Sequence, residues 1–363
     1  MDNKRLIAIH LPQFHPFEEN NRWWGKGFTE WTNVAKAKPR FRGHYQPHLP
    51  SDTGFYDLRL PEARQLQVEL AKEYGISGFC YYHYWFNGKR LMHEPLDGML
   101  SSGLPDFPFM YCWANENWTR AWDGGEKEML IKQDYSQEDD LAHIQYLLDN
   151  VFSDPRYIKI NGKPVFAIYR STAFPDISKT LQLWRKKARE RGLELYICRF
   201  ESFNESGADY LQDGFDAAIE FAPHNFMPQV KLYNPIRAII DKLARKLVGH
   251  NVCNRVVPYE KYVEFSKKET YDAYKRFPGV TPMWDNSARR KKCFFAFHNS
   301  TPELYKQCLA YKVQHFQPYS EEENFIFINA WNEWAEGNHL EPDMKWGHKY
   351  LEATREALES HKK

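Results

Sequence analysis

Short apolar runs alternate with amphipathic segments along most of the chain. Eight of these runs are rich in aliphatic and aromatic residues, which is typical of strands covered on both faces. They occupy residues 6–11, 76–84, 107–114, 164–169, 193–200, 217–221, 280–284 and 325–330. The pattern therefore predicts eight buried strands.

Segments with helical periodicity separate most of these strands. Residues 61–74 begin at a proline and repeat apolar residues at helical spacing. Residues 136–151 begin with a serine that an acidic residue follows three positions later, a variant of the capping box. A helix over residues 176–191 would end just before a glycine, a favourable residue at that place. Two more helices are predicted over residues 301–313 and 343–358.

Strands that alternate with helices favour parallel βα units, and eight units are the number that closes a barrel. The competing fold is an open, doubly wound sheet. Against it, no GxGxxG or GxxxxGK[S/T] motif follows any predicted strand. The sequence also shows neither an internal repeat nor a low-complexity linker. We therefore predict an α/β protein with a (β/α)8 TIM-barrel fold, formed as one domain by residues 1–363.

Two of the predicted βα connections are longer than ordinary loops. Residues 12–57 follow the first strand and are rich in Trp, His and Pro. Residues 226–279 follow the sixth strand as an insertion with room for more than one helix. Long βα connections usually carry function in a barrel.

Composition and charge narrow the choice of ligand. Hydrophobic residues make up 42% and charged residues 27%, as in an ordinary soluble protein, but aromatic residues reach 16%. Many of these rings stand beside Asn, Glu, His or Arg. Such neighbours suit a ligand with apolar faces and hydroxyl edges, such as a sugar, although an aromatic-rich core is the alternative. The net charge of +1 does not indicate a nucleic-acid partner.

The cysteines and the N-terminal sequence bear on location. The six cysteines include no CxxC pair, and Cys80, Cys112 and Cys198 fall inside predicted strands. We expect them to be buried thiols in a reducing compartment. No signal-peptide pattern and no apolar run long enough to cross a membrane is visible, so a cytoplasmic location is expected. The oligomeric state is not indicated.

Polar and aromatic residues collect at one end of the predicted strands. In a (β/α)8 barrel, reacting groups come from the C-terminal ends of the strands. Those ends, in chain order, supply His10, Gln13, His15, Tyr82, His83, Trp85, Trp113, Asn115, Glu116, Asn117, Trp118, Tyr169, Arg170, Arg199, Glu201, Asn204, Glu220, His224, Trp284, Asp285, Arg289, Asn332, Glu333 and Glu336. The strand starts have no comparable density, so packing alone does not explain the pattern.

Two carboxylates three positions apart stand out in this set. Glu333 and Glu336 follow the last apolar run and alternate with Trp331 and Trp334. Residues three apart in a helical turn lie about 5–6 Å apart on one side. Retaining glycosidases need two carboxyl groups roughly 5 Å apart. Carboxylates beside aromatic walls are costly unless they are paired or used. We predict that this pair is catalytic.

We expect sugar-binding subsites around the pair. The residues assigned to them are His10, Gln13, Trp31, Tyr82, His83, Trp85, Trp113, Asn115, Glu116, Trp118, Arg170, Glu201, Glu220, Asp285, Asn332 and Trp334.

Several of these residues have an alternative interpretation. Glu333 and Glu336 could cap the last helix, where its dipole favours negative charge. Residues 115–117 could form a turn, and Asp285 could pair with Arg289. The histidines lack HExxH spacing, so no metal site is predicted.

Two basic segments could contact other molecules. Residues 236–247 carry a stripe of Ile and Leu opposed by Arg and Lys, the pattern of a basic amphipathic helix. Such a helix can lie on anionic lipid, but it more often packs on its own domain. The basic run at residues 289–292 could meet a phosphate or an acidic sugar, although a solvated surface is the ordinary outcome.

Five motifs together suggest a family. They are LPQFHP at residues 11–16, WWGKGFTEWTNV at 23–34, YYHYWF at 81–86, WANENW at 113–118 and NEWAEG at 332–337. This set resembles the WbsX-like proteins, which are often labelled glycosyltransferases of polysaccharide gene clusters and are related to glycoside hydrolase family 99. The resemblance spans nearly the whole chain, and its first and last motifs are long and specific.

The resemblance implies a (β/α)8 barrel that cleaves α-mannosidic bonds within a chain with retention, without a metal or organic cofactor. It implies that Glu333 acts as a base on the sugar 2-hydroxyl, whose oxygen attacks the anomeric carbon to form an anhydrosugar. Glu336 would protonate the leaving oxygen and later activate water. Like-charged neighbours raise one pKa, which keeps one acid protonated near neutrality. The segment after the first strand differs from the shorter, tyrosine-rich opening of the mannan-cleaving hydrolases, which leaves the sugar open.

We therefore expect a retaining glycoside hydrolase acting on a polysaccharide or oligosaccharide. The alternative is a glycosyltransferase that builds a cell-surface polysaccharide, such as O-antigen or capsule, on a lipid carrier. The basic amphipathic helix favours that alternative, but the chain has no Asp-x-Asp motif to hold a nucleotide sugar through a divalent ion. A non-catalytic carbohydrate-binding barrel is a third hypothesis, against which the intact Glu pair argues.

Overall fold

A computed structural model describes residues 4–119, 129–201, 205–227, 230, 235–248 and 253–360. Eight parallel strands follow one another around a ring. They are β1 (Arg5–His10), β2 (Ile76–Phe86), β3 (Phe109–Trp113), β4 (Lys163–Ile168), β5 (Tyr196–Glu201), β6 (Ala217–Glu220), β7 (Arg276–Phe277 and Gly279–Val280) and β8 (Phe325–Ile328). The ring closes because β1 lies between β2 and β8, with Ile7 opposite both Gly78 and Phe327. The predicted (β/α)8 barrel is confirmed, and the open doubly wound sheet is excluded.

The seventh strand is broken at Pro278. Its first half pairs with β6 and its second half with β8, and the proline between them has no N–H to donate to either neighbour. A Cβ on Gly279 would lie 2.0 Å from the Glu220 carbonyl oxygen, so β6 and β7 can approach only at a glycine. The strand predicted at residues 280–284 is therefore misplaced. The apolar run at residues 280–284 extends beyond the end of the strand, and the strand itself begins earlier, at Arg276.

Ten α-helices are described, and most of them cover the outside of the ring. They are α1 (Glu18–Trp24), α2 (Glu30–Lys36), α3 (Pro61–Glu73), α4 (Glu94–Ser102), α5 (Gln137–Asn150), α6 (Ile177–Arg189), α7 (Pro235–Val248), α8 (Tyr259–Ser266), α9 (Pro302–His315) and α10 (Lys349–Glu359). The predicted cap of α5 is present, since the Ser136 hydroxyl accepts a hydrogen bond from the Asp139 N–H. The last helix begins later than predicted because the Asp343 carboxylate accepts from the N–H groups of Lys345 and Trp346 in a turn.

The two long connections contain structure of their own. The first holds α1 and α2. The second holds α7, a strand at Arg255–Pro258 and α8, and that strand pairs in parallel with Phe295–His298. Among the described residues, no helix combines the length and apolarity needed to cross a bilayer.

The aliphatic side of α7 faces solvent. Ile239, Leu243 and Leu247 are 59%, 54% and 83% exposed, so this side of the helix does not pack on the barrel. Such a helix usually packs on its own domain. The aliphatic side of α7 does not do so in this structure. The side chains of Arg237 and Arg245 lie outside the described part of the chain.

Aromatic residues account for much of the interior. The largest fully buried side chains include Trp113, Trp184, Trp331 and Trp334, and the three thiols in β2, β3 and β5 are buried and free. Part of the aromatic surplus therefore belongs to the core, and only the remainder is available to a ligand.

Candidate active site

A cavity of about 230 Å³ opens at the C-terminal ends of the barrel strands. Its lining residues are Tyr82, Tyr84, Ala114, Glu116, Asn117, Trp118, Thr119, Tyr169, Phe221, His224, Trp284, Asn286, Arg289, Arg290, Asn329, Glu333 and Glu336. They come from the ends of β2, β3, β4, β6, β7 and β8 or from the connections that follow. One strand end after another contributes to a single hollow, which is the arrangement of barrel active sites.

A tight turn after β8 directs the two predicted catalytic carboxylates into this cavity. Residues Asn332–Glu333 form a short strand that pairs with Asn338–His339, and a 3-10 turn at Trp334–Glu336 connects them. Gly337 ends the turn with φ of 52°, and a Cβ there would lie 2.9 Å from Asp285. Capping of the last helix is excluded as a role for the pair, because α10 begins only at Lys349.

One guanidinium group joins the pair to a third carboxylate. Arg289 Nη1 donates to Glu336 Oε1 at 2.9 Å, and Nη2 donates to Glu333 Oε2 at 3.3 Å. Its Nε donates to Glu30 Oε1 at 3.0 Å, and Nη2 also contacts that oxygen. The planar fork of arginine suits several carboxylates at once. Glu333 and Glu336 therefore share one cation.

Asp285 does not pair with Arg289, contrary to the alternative considered from the sequence. Its Oδ2 accepts hydrogen bonds from His44 Nε2 at 2.5 Å and Gln46 Nε2 at 2.7 Å. Asp285 thus anchors the long connection after β1 to the connection after β7. This contact fixes the backbone from which Arg289 extends.

Burial dominates the electrostatics of the pair. Removal from water raises the pKa of Glu333, the negative charges of Glu336 and Glu30 raise it further, and Arg289 opposes them. Burial also raises the pKa of Glu336, where Arg289 again acts in the opposite direction. Burial therefore favours the protonated form of Glu333 and of Glu336, and Arg289 favours their ionised forms.

Of the predicted sugar-binding residues, Tyr82, Glu116 and Trp118 line the cavity. Tyr169, His224, Trp284 and Asn117, which also stand at strand ends, line it too. Asn204 lies outside the described residues.

Several predicted residues beside β1 and β8 are buried away from the cavity. His10 Nε2 lies 3.0 Å from Gln67 Oε1, and Trp31 Nε1 donates to the Tyr56 carbonyl at 2.8 Å. The Asn332 amide bonds both the N–H and the carbonyl of Leu11. Gln13 and Trp334 are also buried and do not line the cavity. Trp334 Nε1 donates to Glu341 Oε2 at 2.6 Å.

The predicted residues around β2 and β3 form a second layer outside the cavity. His83 Nε2 lies 3.0 Å from His143 Nε2, and Trp85 Nε1 donates to Asp139 Oδ1 at 2.9 Å. Trp113 Nε1 donates to the Trp85 carbonyl at 3.1 Å. The Asn115 amide donates to the Arg170 carbonyl at 2.8 Å. This bond ties residues 115–117, considered above as a possible turn, to the end of β4.

Three further charged residues in the predicted set are paired within the protein. Arg170 Nη1 lies 3.0 Å from Glu116 Oε1 and does not itself line the cavity. Glu201 accepts from the Tyr274 hydroxyl at 2.8 Å. Glu220 accepts from the Tyr271 hydroxyl at 2.6 Å, and Lys312 Nζ lies 3.2 Å away. Buried charges of this kind need partners, and these contacts supply them.

Some cavity residues were not predicted from the sequence. Tyr84 shares a face of β2 with Tyr82, two positions earlier, and the period of two in a strand could have indicated it. Arg290 belongs to the basic run that was interpreted as solvated surface. Glu30 does not line the cavity but contacts Arg289, which does. No local signal indicated Glu30, because Arg289 lies far along the chain.

Comparison with known proteins agrees with this architecture. The family model described as glycosyltransferase WbsX matches residues 6–354. Two WxcX proteins of Xanthomonas campestris pv. campestris are 39% identical over 355 residues, which is 97% of this chain and 49% of each relative. The chain thus spans about half the length of the curated relatives it matches.

Solved structures share the fold at low sequence identity. A glycoside hydrolase-like protein superposes with a TM-score of 0.60 at 14% identity, covering 99% of this chain and 94% of the other. The GH99 endo-alpha-mannosidase of Bacteroides thetaiotaomicron superposes with a TM-score of 0.58 at 12% identity, covering 100% and 98%. At these identities the likeness concerns the barrel alone.

Proposed function

The chain belongs to the family described as glycosyltransferase WbsX, and from that membership and the site geometry we propose that it is a retaining glycoside hydrolase acting on a polysaccharide or oligosaccharide. One observation carries the proposal. Glu333 and Glu336 line the same cavity and are bridged by the Arg289 guanidinium. Two carboxylates at one anomeric centre are the minimum equipment for retaining cleavage.

The proposed reaction uses the pair in two steps. Glu333 takes the proton of the sugar 2-hydroxyl while O2 attacks C1, and the bond from C1 to the leaving oxygen breaks. Glu336 gives its proton to that oxygen, which leaves a 1,2-anhydrosugar. Glu336 then takes a proton from water, the water oxygen attacks C1, and O2 recovers its proton from Glu333. The configuration at C1 is inverted twice and is therefore retained.

The charges of the site support one proton shared between Glu333 and Glu336. The proposed roles need that proton on Glu336, but the free protein favours it on Glu333. Glu333 is the more deeply buried of the two, with 9% of its side chain exposed against 20% for Glu336. Glu336 also lies closer to Arg289, which favours its ionised form. Both features favour the protonated form of Glu333 over that of Glu336 in the free protein. A bound sugar would displace water from Glu336, raise its pKa and draw the proton toward it.

The cavity walls support a sugar ligand. Tyr82, Tyr84, Trp118, Tyr169, Phe221 and Trp284 present aromatic surface, and Glu116, Asn117, Asn286 and Arg290 present hydrogen-bonding groups. Aromatic faces with a few polar groups match a ring that has apolar faces and hydroxyl edges. Because a structural neighbour is an endo-alpha-mannosidase, α-mannosides are the first substrates to examine.

The proposal is tested with purified polysaccharides, α-mannans among them, by measuring release of reducing ends. Wild-type protein should cleave at least one of them, and Glu336→Gln should be slower by about 10²–10⁴-fold with binding retained. On a glycoside of the same sugar with an activated phenol as leaving group, Glu336→Gln should recover most of the first step. Glu333→Gln should not recover, because the attacking oxygen still needs its base. Equal cleavage by wild type and both variants would exclude these roles.

The family description favours a second candidate, a glycosyltransferase of polysaccharide synthesis. Such an enzyme needs a nucleotide- or lipid-linked sugar donor. A thermal shift with a nucleoside diphosphate, none with oligosaccharides, and no cleavage of any glycan would replace the first proposal by this one. Cleavage of a glycan without any activated sugar would exclude an obligatory transferase.

A further inference from the structure

A second cluster of chemically active side chains lies behind the catalytic turn. His48 comes from the long connection after β1, and His339 and Asp343 come from the segment after the turn. All three are buried, and one ligand atom from each falls within 4.8 Å of the others. His48 Nδ1 and His339 Nε2 face one another at 3.0 Å, and Asp343 Oδ2 lies 3.8 Å from His339 Nε2.

Backbone contacts fix the tautomer of both rings. His48 Nε2 lies 3.1 Å from the Tyr45 carbonyl, and His339 Nδ1 lies 2.9 Å from the Glu341 carbonyl. A carbonyl accepts but does not donate, so each of these nitrogens carries the proton. The two nitrogens that face one another therefore both carry lone pairs. At 3.0 Å such an arrangement is repulsive unless a cation lies between them.

The carboxylate adds a third unshared donor. Asp343 Oδ1 accepts the N–H groups of Lys345 and Trp346, whereas Oδ2 is buried without a hydrogen-bond partner. The nearby Tyr45 hydroxyl is buried close to Asp343 and has no hydrogen-bond partner of ordinary geometry. An unsatisfied buried carboxylate oxygen beside two lone pairs is costly in a folded protein.

We propose that His48, His339 and Asp343 bind a divalent transition-metal ion of the zinc class, with the remaining coordination completed by water or the Tyr45 hydroxyl. Two imidazole nitrogens and a carboxylate oxygen are a common donor set for Zn²⁺. Bonds of about 2.0–2.1 Å in a tetrahedral site place two nitrogens roughly 3.3 Å apart, close to the separation in the protein. The backbone carbonyls that hold the outer ring nitrogens are the usual support of metal-bound histidine.

A proton between the two rings would leave the third donor unserved. It can join His48 Nδ1 to His339 Nε2, but it leaves Asp343 Oδ2, 3.8 Å from His339 Nε2, without a direct bond. A cavity of about 50 Å³ reaches His48 and has room for a water ligand.

The other close histidine pair shows why the carboxylate and the carbonyls matter. His83 Nε2 and His143 Nε2 are also 3.0 Å apart, but His143 Nδ1 has no hydrogen-bond partner. One of these rings can carry its proton on the facing nitrogen and donate to the other. That pair needs no cation.

The proposed ion would join two segments of the catalytic rim. His339 stands on the strand that pairs with Asn332–Glu333, and its ring stacks on Trp334 with centroids 3.8 Å apart. His48 precedes Pro50, which forms a bridge with Asp343. The ion is therefore structural and does not rest on the proposed hydrolase activity. A search for local motifs such as HExxH could not find this site, because His48 lies far in the sequence from His339 and Asp343.

The test uses the full chain after removal of metal with a chelator. Wild type should take up about one Zn²⁺ or Co²⁺ per chain, gain several degrees in Tm, and give the strong visible absorption of tetrahedral Co²⁺. His48→Gln should lose all three responses. His298→Gln is the matched control, since His298 lines the same small cavity outside the cluster, and it should respond as wild type does.

Asp343→Asn provides a second variant if His48→Gln fails to fold. It keeps the oxygen that accepts the two backbone N–H groups but removes the charge, and it should bind Zn²⁺ at least 10-fold more weakly. Chelator-treated wild type that neither binds Zn²⁺ nor changes its Tm would overturn the proposal. Equal binding by wild type and either variant would overturn it as well.

Discussion

At the scale of single residues, Arg289 determines the charge balance of the site. Its guanidinium is buried and contacts Glu30, Glu333 and Glu336. Burial of these acids would be prohibitive without a cation, and an arginine stays charged even in a dry site. Arg289 thus favours the ionised forms of Glu333 and Glu336, and its planar fork reaches both carboxylates at once.

We predict that Arg289→Met lowers the free energy of unfolding by about 3–5 kcal/mol, as expected when one partner of a buried ion pair is removed. The loss should depend on pH. Without Arg289 the folded-state pKa values of Glu333 and Glu336 rise further above their unfolded values. Stability from such groups is lost as pH rises, so the deficit should be greater at pH 8 than at pH 5.

Urea unfolding at the two pH values measures this difference, and Arg289→Lys is the control. Lysine keeps the charge but not the fork, so its deficit should be smaller and less dependent on pH. A deficit of Arg289→Met that is the same at both pH values would show that the carboxyls do not depend on this cation.

The residue scale also shows what a sequence can reveal of a site. The shared placement of Glu333 and Glu336 in one cavity could be predicted because both acids lie in one turn beside aromatic residues. The link from Glu30 to Arg289 could not, because no local pattern relates residues so far apart. Trp334 was assigned to a sugar subsite for its aromatic ring. The ring is buried, and its N–H donates to the Glu341 carboxylate inside the protein.

At the scale of elements, Glu341 holds the segment after β8 in place. Its carboxylate accepts hydrogen bonds from Trp331 Nε1 at 3.0 Å, Trp334 Nε1 at 2.6 Å, the Tyr56 hydroxyl at 2.7 Å and Gln67 Nε2 at 2.7 Å. Four donors converge on one carboxylate. Only an ionised acid offers enough acceptor positions for all four hydrogen bonds. These contacts fix the turn that carries Glu333 and Glu336.

We predict that Glu341→Gln destabilises the protein by at least about 2 kcal/mol, because an amide offers one acceptor oxygen and leaves buried donors unpaired. Urea unfolding measures the loss. Glu356→Gln on α10 removes an exposed acid that pairs with Lys306, and it should change the free energy of unfolding by less than about 0.5 kcal/mol. Similar values for the two variants would mean that Glu341 does not hold the turn.

The amphipathic helix α7 leads to a second prediction at this scale. Because Ile239 and Leu243 are exposed, replacing both by serine should change the free energy of unfolding by less than about 1 kcal/mol. The matched residue is Leu181 on α6, which is 1% exposed, and Leu181→Ala should cost about 2–5 kcal/mol. A large loss in the α7 variant would mean that its aliphatic side is covered in the protein in solution.

At the scale of the whole molecule, the barrel was predictable because its strands are short, apolar and regularly separated by helices. The pairing of β1 with β8 could be predicted only from the rule that eight parallel βα units close into a barrel. The seventh strand could not be located in the same way. Its charged start and its proline conceal it, and the close approach of Gly279 to Glu220 depends on packing between strands. Regular elements thus follow from local pattern, whereas irregular ones depend on neighbours distant in sequence.

Opposing titrations across the molecule predict a maximum in stability near neutral pH. Burial lowers the pKa of His10 to about 4 and of His83 and His224 to about 3, against about 6.5 in an unfolded chain. A depressed folded-state pKa means that stability is present above pH 6.5 and is lost as pH falls. The raised pKa values of Glu333 and Glu336 act in the other direction and reduce stability as pH rises.

The contribution of one histidine can be isolated with His10→Gln, which removes a titrating ring that hydrogen-bonds Gln67 and lies outside the cavity. Each such histidine contributes a slope of up to about 1.4 kcal/mol per pH unit. Between pH 6 and pH 5 the variant should therefore lose stability less steeply than wild type by about that amount. Urea unfolding at pH 7, 6 and 5 gives both curves. Because any packing loss in the variant is the same at each pH, it shifts the curve without changing the slope, and parallel curves would show that His10 is not neutral in the folded protein.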